Sequence, residues 1–439
     1  MYFFRRRQNF TQIACFVLSF FLLTFLAGCG GEKPDVKAEI TMPEPVAPVS
    51  EEITETVVDV YWDATYSMQG YTTILTGNFY RTLPDDIGAL GESLGEVHFF
   101  KFGEDVTPMS GREHRSFNNA QTYTEVITAF NRVIDVANPD HLSIVITDLF
   151  ESDADWSNVT KKLKEKYFSK HLGVAVIGVK NPFQGDIFDV GIDAAKFWYD
   201  SGADVKKYRP FYLFIMGPEK KIEAFIDKWR ESETLEGMEY VVFSENFSKN
   251  AADFSKMNVL ASENIFADER LGIKDKRMKE FGIDSMDSPA SIKTSFRYEP
   301  TFGACKVSIK NVSTYVEVYY LDGEEGWKVR EEDNDILCEF AESADEKDTY
   351  DVEIKFTPAL SLVPGKINLI HVALAPTSKG IVLPGWIRDW NMASYDIAPN
   401  AFDGSKTVNL LHVVGSLKDS MLMVARPSLV NINLVMEAR

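Results

Sequence analysis

An α/β domain with a mainly parallel sheet, followed by a β-rich, sandwich-like domain, is the fold class this chain predicts. Three observations carry that expectation. Residues 57–62 and 142–147 are apolar runs of strand length, β-branched or aromatic, and each is followed by an aspartate, Asp63 or Asp148. Further buried runs at residues 97–102, 173–179 and 210–217 alternate with amphipathic stretches near 74–94, 124–137 and 159–171. Strands that alternate with helices imply crossover connections and a largely parallel sheet. From Tyr298 onward the hydrophobic period falls to two, in runs separated by turns such as Asp322-Gly323 and Pro364-Gly365.

Taken in order, the stretch near 74–94 reads as a helix broken by Pro84, and residues 105–109 as a short edge strand disarmed by Pro108. Residues 183–208 interrupt the alternation with Gly, Asp and short aromatic runs, which predicts an inserted hairpin. Pro218 opens a closing helix with proline and acid in its first turn. Residues 233–297 form an extension or linker of mixed polarity, with an extra strand at 237–243 and helical character near 274–281. A helix near 407–417 lies within the β-rich part. The expected division is 53–232 for the α/β domain and 298–439 for the β-rich domain.

Ahead of these lie a basic segment, Arg5-Arg6-Arg7, and an apolar run of about fifteen residues, short of the roughly twenty that span a bilayer. Leu26-Ala27-Gly28-Cys29 resembles a bacterial lipoprotein cleavage site. That resemblance implies a signal peptide over 1–28 and lipidation of Cys29. It also implies a protein of the cell envelope, held at a membrane and facing outside the cytoplasm. Gly30, where an aspartate would act as a retention signal, points to the outer membrane in a diderm cell. Residues 29–52 contain Pro34, Pro43, Pro45 and Pro48 and read as a semi-extended tether.

The chain has 439 residues, 66 acidic against 46 basic, and a formal net charge of −20, which argues against nucleic acid as a partner and against electrostatic binding of the chain as a whole to anionic lipid. Beyond Cys15 and Cys29, only Cys305 and Cys338 remain, as a disulfide or as two buried thiols. The six histidines show no metal spacing, and neither a nucleophile elbow nor a phosphate-binding Gly-rich loop is present. These absences favour a protein that is not an enzyme. Trp386 and Trp390 form an aromatic pair that suits either a core or a carbohydrate contact.

Asp63, Thr65 and Ser67 place three oxygen-bearing side chains at alternate positions beyond the first strand. Thr124, or Thr122 as the alternative, leads into the next amphipathic stretch, and Asp148 ends the later strand. Such hard oxygens suit Mg²⁺, or Mn²⁺ and Ca²⁺, rather than zinc. The order Asp-x-Thr-x-Ser, a separate Thr, and Asp after a later strand resembles the metal-ion-dependent adhesion site (MIDAS) of von Willebrand factor A (vWA) domains, over roughly residues 53–232. The resemblance implies a Rossmann-like sheet, and a metal held by Asp63, Thr65, Ser67, Thr124 and Asp148. It further implies capture of a protein partner that offers a carboxylate, with Tyr66, Met68, Tyr71 and Phe150 at the rim. Where that family has Gly after the last aspartate, this chain has Leu149-Phe150-Glu151.

Overall fold

The computed structural model describes residues 40, 42, 56–149, 153–190, 195–231, 238–245, 258–298, 303, 305–323, 326–331, 335–344, 348–393, 402–424 and 428–438. The signal segment, Cys29, Phe150 and Glu151 lie outside the described residues. Among the described residues no helix is long and apolar enough to cross a membrane. The chain is a mixed α/β protein dominated by β-sheet.

Nine strands belong to the first part of the chain: β1 (Thr56–Asp63), β2 (Gly95–Phe102), β3 (Val106–Met109), β4 (Leu142–Thr147), β5 (Gly173–Asn181), β6 (Gln184–Val190), β7 (Ala195–Asp200), β8 (Arg209–Gly217) and β9 (Glu239–Phe243). Seven form one sheet in the order β3-β2-β1-β4-β8-β5-β9. Only β1–β2 and β1–β4 are parallel, and β2–β3, β4–β8, β5–β8 and β5–β9 are antiparallel. The sheet is therefore mixed, where a mainly parallel one was expected. The reason is the inserted hairpin β6–β7. It returns the chain to the end of the sheet that β5 has just left, so β8 runs back antiparallel and wedges between β4 and β5. A parallel neighbour would need a crossover connection.

Helices cover both faces. On one, Ile222, Phe225, Ile226 and Trp229 of helix Glu219–Glu231 recur at the 3.6-residue period and pack on the inner residues of β1, β4, β5 and β8. Helix Leu83–Glu92 lies on the same face; Pro84 and the acids Asp85 and Asp86 start it rather than break it. The other face carries helices Phe130–Val136, Asp153–Lys166 and Leu410–Leu422. The helix expected from Thr124 begins only at Phe130. Ahead of it, the Thr124 and Glu125 amides both donate to Ala64 O, and Glu125 O accepts from Tyr66 N. That pairing holds the backbone extended.

The C-terminal part contributes a four-stranded antiparallel sheet, Asn258–Glu263, Ala290–Arg297, Thr349–Phe356 and Leu337–Glu342 in spatial order. A six-stranded sheet runs Ile265–Ala267, Lys279–Ile283, Val430–Glu437, Ile367–Pro376, Val312–Leu321 and Trp327–Val329, with one parallel pairing, Lys279–Ile283 to Val430–Glu437. Buried residues of both sheets, among them Ile292, Ile354, Val372 and Leu434, join one apolar cluster. Through Leu410, Val414 and Leu417, that cluster is continuous with the first sheet. Residues 274–278, expected helical, form a turn into a strand, because Asp275 caps the Arg277 amide and the Glu280 carboxylate takes the amides of Leu271 and Gly272. Cys305 and Cys338 are free thiols. Burial pushes both up to about 12.

Candidate functional site

Strand register makes the site. Trp62 lies opposite Ile146 in the parallel pair β1–β4, so Asp63 falls beside Thr147 and Asp148 follows at the carboxyl edge of the sheet. Ligands of open α/β sheets gather at this edge. Asp63 Oδ1 accepts from the Thr65 amide at 3.0 Å and from Thr65 Oγ1 at 2.7 Å. Its Oδ2 accepts from Thr147 Oγ1 at 2.8 Å and from Thr128 Oγ1 at 3.3 Å. Thr65 Oγ1 and Ser67 Oγ are 3.0 Å apart, and Ser67 donates to Asp148 Oδ1 at 3.1 Å. Asp63, Thr65, Ser67 and Asp148 are thus brought together as one buried, hydrogen-bonded chain of oxygens.

Thr124 does not join them. Its side chain is exposed, while its amide is committed to Ala64. Thr128 takes that place, 3.4 Å from Thr65 Oγ1. Thr122 also lies elsewhere, bonded to Ser116 O. Leu149 keeps the left-handed backbone that glycine favours, at φ 63°, with its side chain in the core.

Arg209 was not anticipated. It begins β8, and because β8 runs antiparallel to β4, its first residue arrives at the edge where Asp148 stands. The Arg209 guanidinium is 4 % exposed, and its Nη2 lies 3.4 Å from Asp148 Oδ2. Nη1 donates to Gly404 O at 3.3 Å and Lys406 O at 3.4 Å, and the group lies 5.4 Å from the Phe183 ring centroid. Burial disfavours the charge, but Tyr71 and Asp148 outweigh it and hold Arg209 protonated. Asp63 is pushed up to about 7 by burial first and by the Asp148 charge second, against the hydrogen bonds from Thr65 and Thr147.

Two segments close over the cluster. The β6–β7 hairpin seats on the turn Tyr66–Thr72, so closely that a Cβ at Gly70 would lie 2.4 Å from the Phe183 ring. Residues 402–407 follow: Phe402 stacks on Phe197 at 4.9 Å, and Thr407 accepts from Tyr212 at 2.8 Å. Met68 and Tyr71, expected at a rim, are fully buried, with Tyr71 bonded to Pro210 O at 2.5 Å. Tyr66 is exposed as expected, and Val126, 82 % exposed, and Ile127 lie next to it across the Thr65–Glu125 bridge.

The donor chemistry suits a hard divalent cation; among the described residues no group of three or more His, Cys, Asp or Glu that could hold a metal ion is present, here or elsewhere. In this arrangement, however, Arg209 already supplies the positive charge beside Asp148, and each oxygen of the cluster has a protein partner. Trp386 and Trp390, 5.1 Å apart, pack on β5, where a Cβ at Gly178 would lie 2.6 Å from Trp390. That contact makes the pair a joint between the two parts of the chain. No protein-family model, no curated protein and no solved structure matches this chain.

Proposed function

We propose that this chain is a lipid-anchored protein of the bacterial cell envelope that binds a partner protein. In this reading residues 1–28 are a signal peptide, Cys29 carries the lipid, and the first sheet with its helices is a vWA-type domain. The C-terminal sheets form a sandwich-like domain beside it. Partner capture takes place at the carboxyl edge of the first sheet through the apolar side chains Tyr66, Val126 and Ile127, with the motif residues as a metal-free framework beneath them. One observation carries this choice: the buried Arg209–Asp148 pair balances the cluster from within. Large exposed apolar side chains grouped at one edge suit protein contact. No reaction is assigned. The histidines nearest in the sheet, His98 and His141, are engaged with Asp59, well before the carboxyl edge, so Ser67 has no imidazole base.

A second reading, capture through Mg²⁺, Mn²⁺ or Ca²⁺ and a carboxylate of the partner, is favoured by the convergence of Asp63, Thr65, Ser67 and Asp148. One experiment separates the two. A photo-crosslinking residue at Val126 in the full-length chain, in cells of its source, should yield a discrete adduct that persists in chelator and in Asp63→Asn. Loss of the adduct in both transfers the assignment to the cation-dependent mode. Adducts only from positions in the C-terminal sheets would move the contact surface there.

A further inference from the structure

Ile40 and Met42, part of the segment expected to be a free tether, are packed on the outer face of the six-stranded sheet. Met42 is 6 % exposed and clusters with Met278, Tyr319, Leu369 and Val435; Ile40 packs there with Leu271, Ile273, Trp327 and Ile367. The distance to Cys29 therefore ends at this sheet. Eleven residue steps from Cys29 to Ile40 reach at most about 40 Å, whereas the twenty-seven steps to Thr56 would reach about 95 Å.

A second feature marks the same place. The turn that supplies Met278 carries Lys274, Lys276, Arg277 and Lys279 against one acid, Asp275, in a chain whose net charge is −20. Asp275 is taken by Arg277 at 2.6 Å, and Lys274 and Lys276 are exposed. Basic side chains beside a lipid attachment point are drawn to anionic headgroups.

We propose that the face on which Ile40 and Met42 are seated, with Lys274 and Lys276 beside it, is the membrane-facing side of the protein, apposed to anionic phospholipid. The proposal rests on the anchor at Cys29. Docking of the tether shortens its reach and holds the C-terminal sheets, rather than the first sheet, next to the bilayer.

The test uses the full chain with its native anchor, in a Cys305→Ser, Cys338→Ser background. A donor dye is placed by Glu269→Cys, in the loop ahead of the basic turn, or by Val126→Cys at the first sheet's carboxyl edge. Vesicles of phosphatidylcholine and phosphatidylglycerol carry acceptor-labelled headgroups. Energy transfer should be several-fold stronger from position 269 than from 126. Ile40→Asp with Met42→Asp should remove that difference, provided circular dichroism shows the variant folded. Lys274→Glu with Lys276→Glu should reduce transfer from 269 only when phosphatidylglycerol is present. A chain that does not float with vesicles sinks the anchor and this orientation together. A floating chain with equal transfer from both positions, or with transfer unchanged by the Ile40 and Met42 substitutions, sinks the orientation alone.

Discussion

Replacing Arg209 by methionine tests whether the cluster is balanced from within. Methionine keeps much of the side chain's length and removes its charge and donors. Among the described residues, Asp148, 1 % exposed, would then retain only the Ser67 hydroxyl as a side-chain partner for its charge. Removing one member of a buried ion pair costs about 3–5 kcal/mol, because the other charge stays buried and unpaired. The Arg209–Asp148 contact is long at 3.4 Å, which puts the expected cost near the lower end, about 3 kcal/mol. The assay is urea unfolding in chelator, followed by tryptophan fluorescence. Arg209→Met combined with Asp148→Asn removes both charges, so the double variant should be clearly more stable than the sum of the two single losses implies. Saturating Mg²⁺, at a hundredfold excess over its dissociation constant, should return about 2.7 kcal/mol to Arg209→Met and nothing to the parent chain. A loss below about 0.5 kcal/mol for the single variant, or strict additivity in the cycle, would refute the internal counter-charge.

Three further expectations follow from the geometry. Thr128→Val should destabilise by about 1 kcal/mol through its lost bond to Asp63, while Thr124→Val stays within about 0.5 kcal/mol; unfolding of the two variants side by side decides which threonine serves the cluster. At the Asp59–His98–His141 cluster, burial disfavours the His98 charge, but the hydrogen bonds to Asp59 and Glu96 prevail and raise its pKa. A raised histidine stabilises the fold fully below the unfolded value of about 6.5 and loses that contribution as pH rises through the folded value. Melting temperature should therefore carry an acid-favoured component that Asp59→Asn removes, and an unchanged pH profile in the variant would count against it. Gly178→Ala should cost about 1–3 kcal/mol by forcing the Trp390 ring away, and Gly178→Ala with Trp390→Leu should recover part of the loss in the same unfolding assay.

Much of the first sheet was legible because the physics there is local. Buried β-branched runs ending in Asp63 and Asp148 declare two strands, and a parallel register between neighbours brings their ends together. Thr124 was the natural choice from its spacing before an amphipathic stretch. The true helix starts at Phe130 because Ala64, sixty residues earlier, takes the Thr124 and Glu125 amides, and no local propensity encodes that pairing. Leu149 likewise adopts a backbone its residue type disfavours, which only the surrounding core can impose.

Strand direction was the larger loss, and Arg209 was lost with it. The hairpin at residues 184–200 was foreseen as an insertion, but its consequence for the sheet was not: an excursion that returns to the same end reverses the next strand. Reversal carries the first residue of β8, rather than its last, to the edge occupied by Asp148. A sequence sign did exist, since Arg209 stands at the head of the fully buried run 210–217, where a charged side chain requires a counter-charge. Without strand direction, that counter-charge had no address. A spacing motif specifies which oxygens meet. Whether they need an external cation depends on charge delivered from elsewhere in the topology, and in the reading proposed here Arg209 supplies that charge.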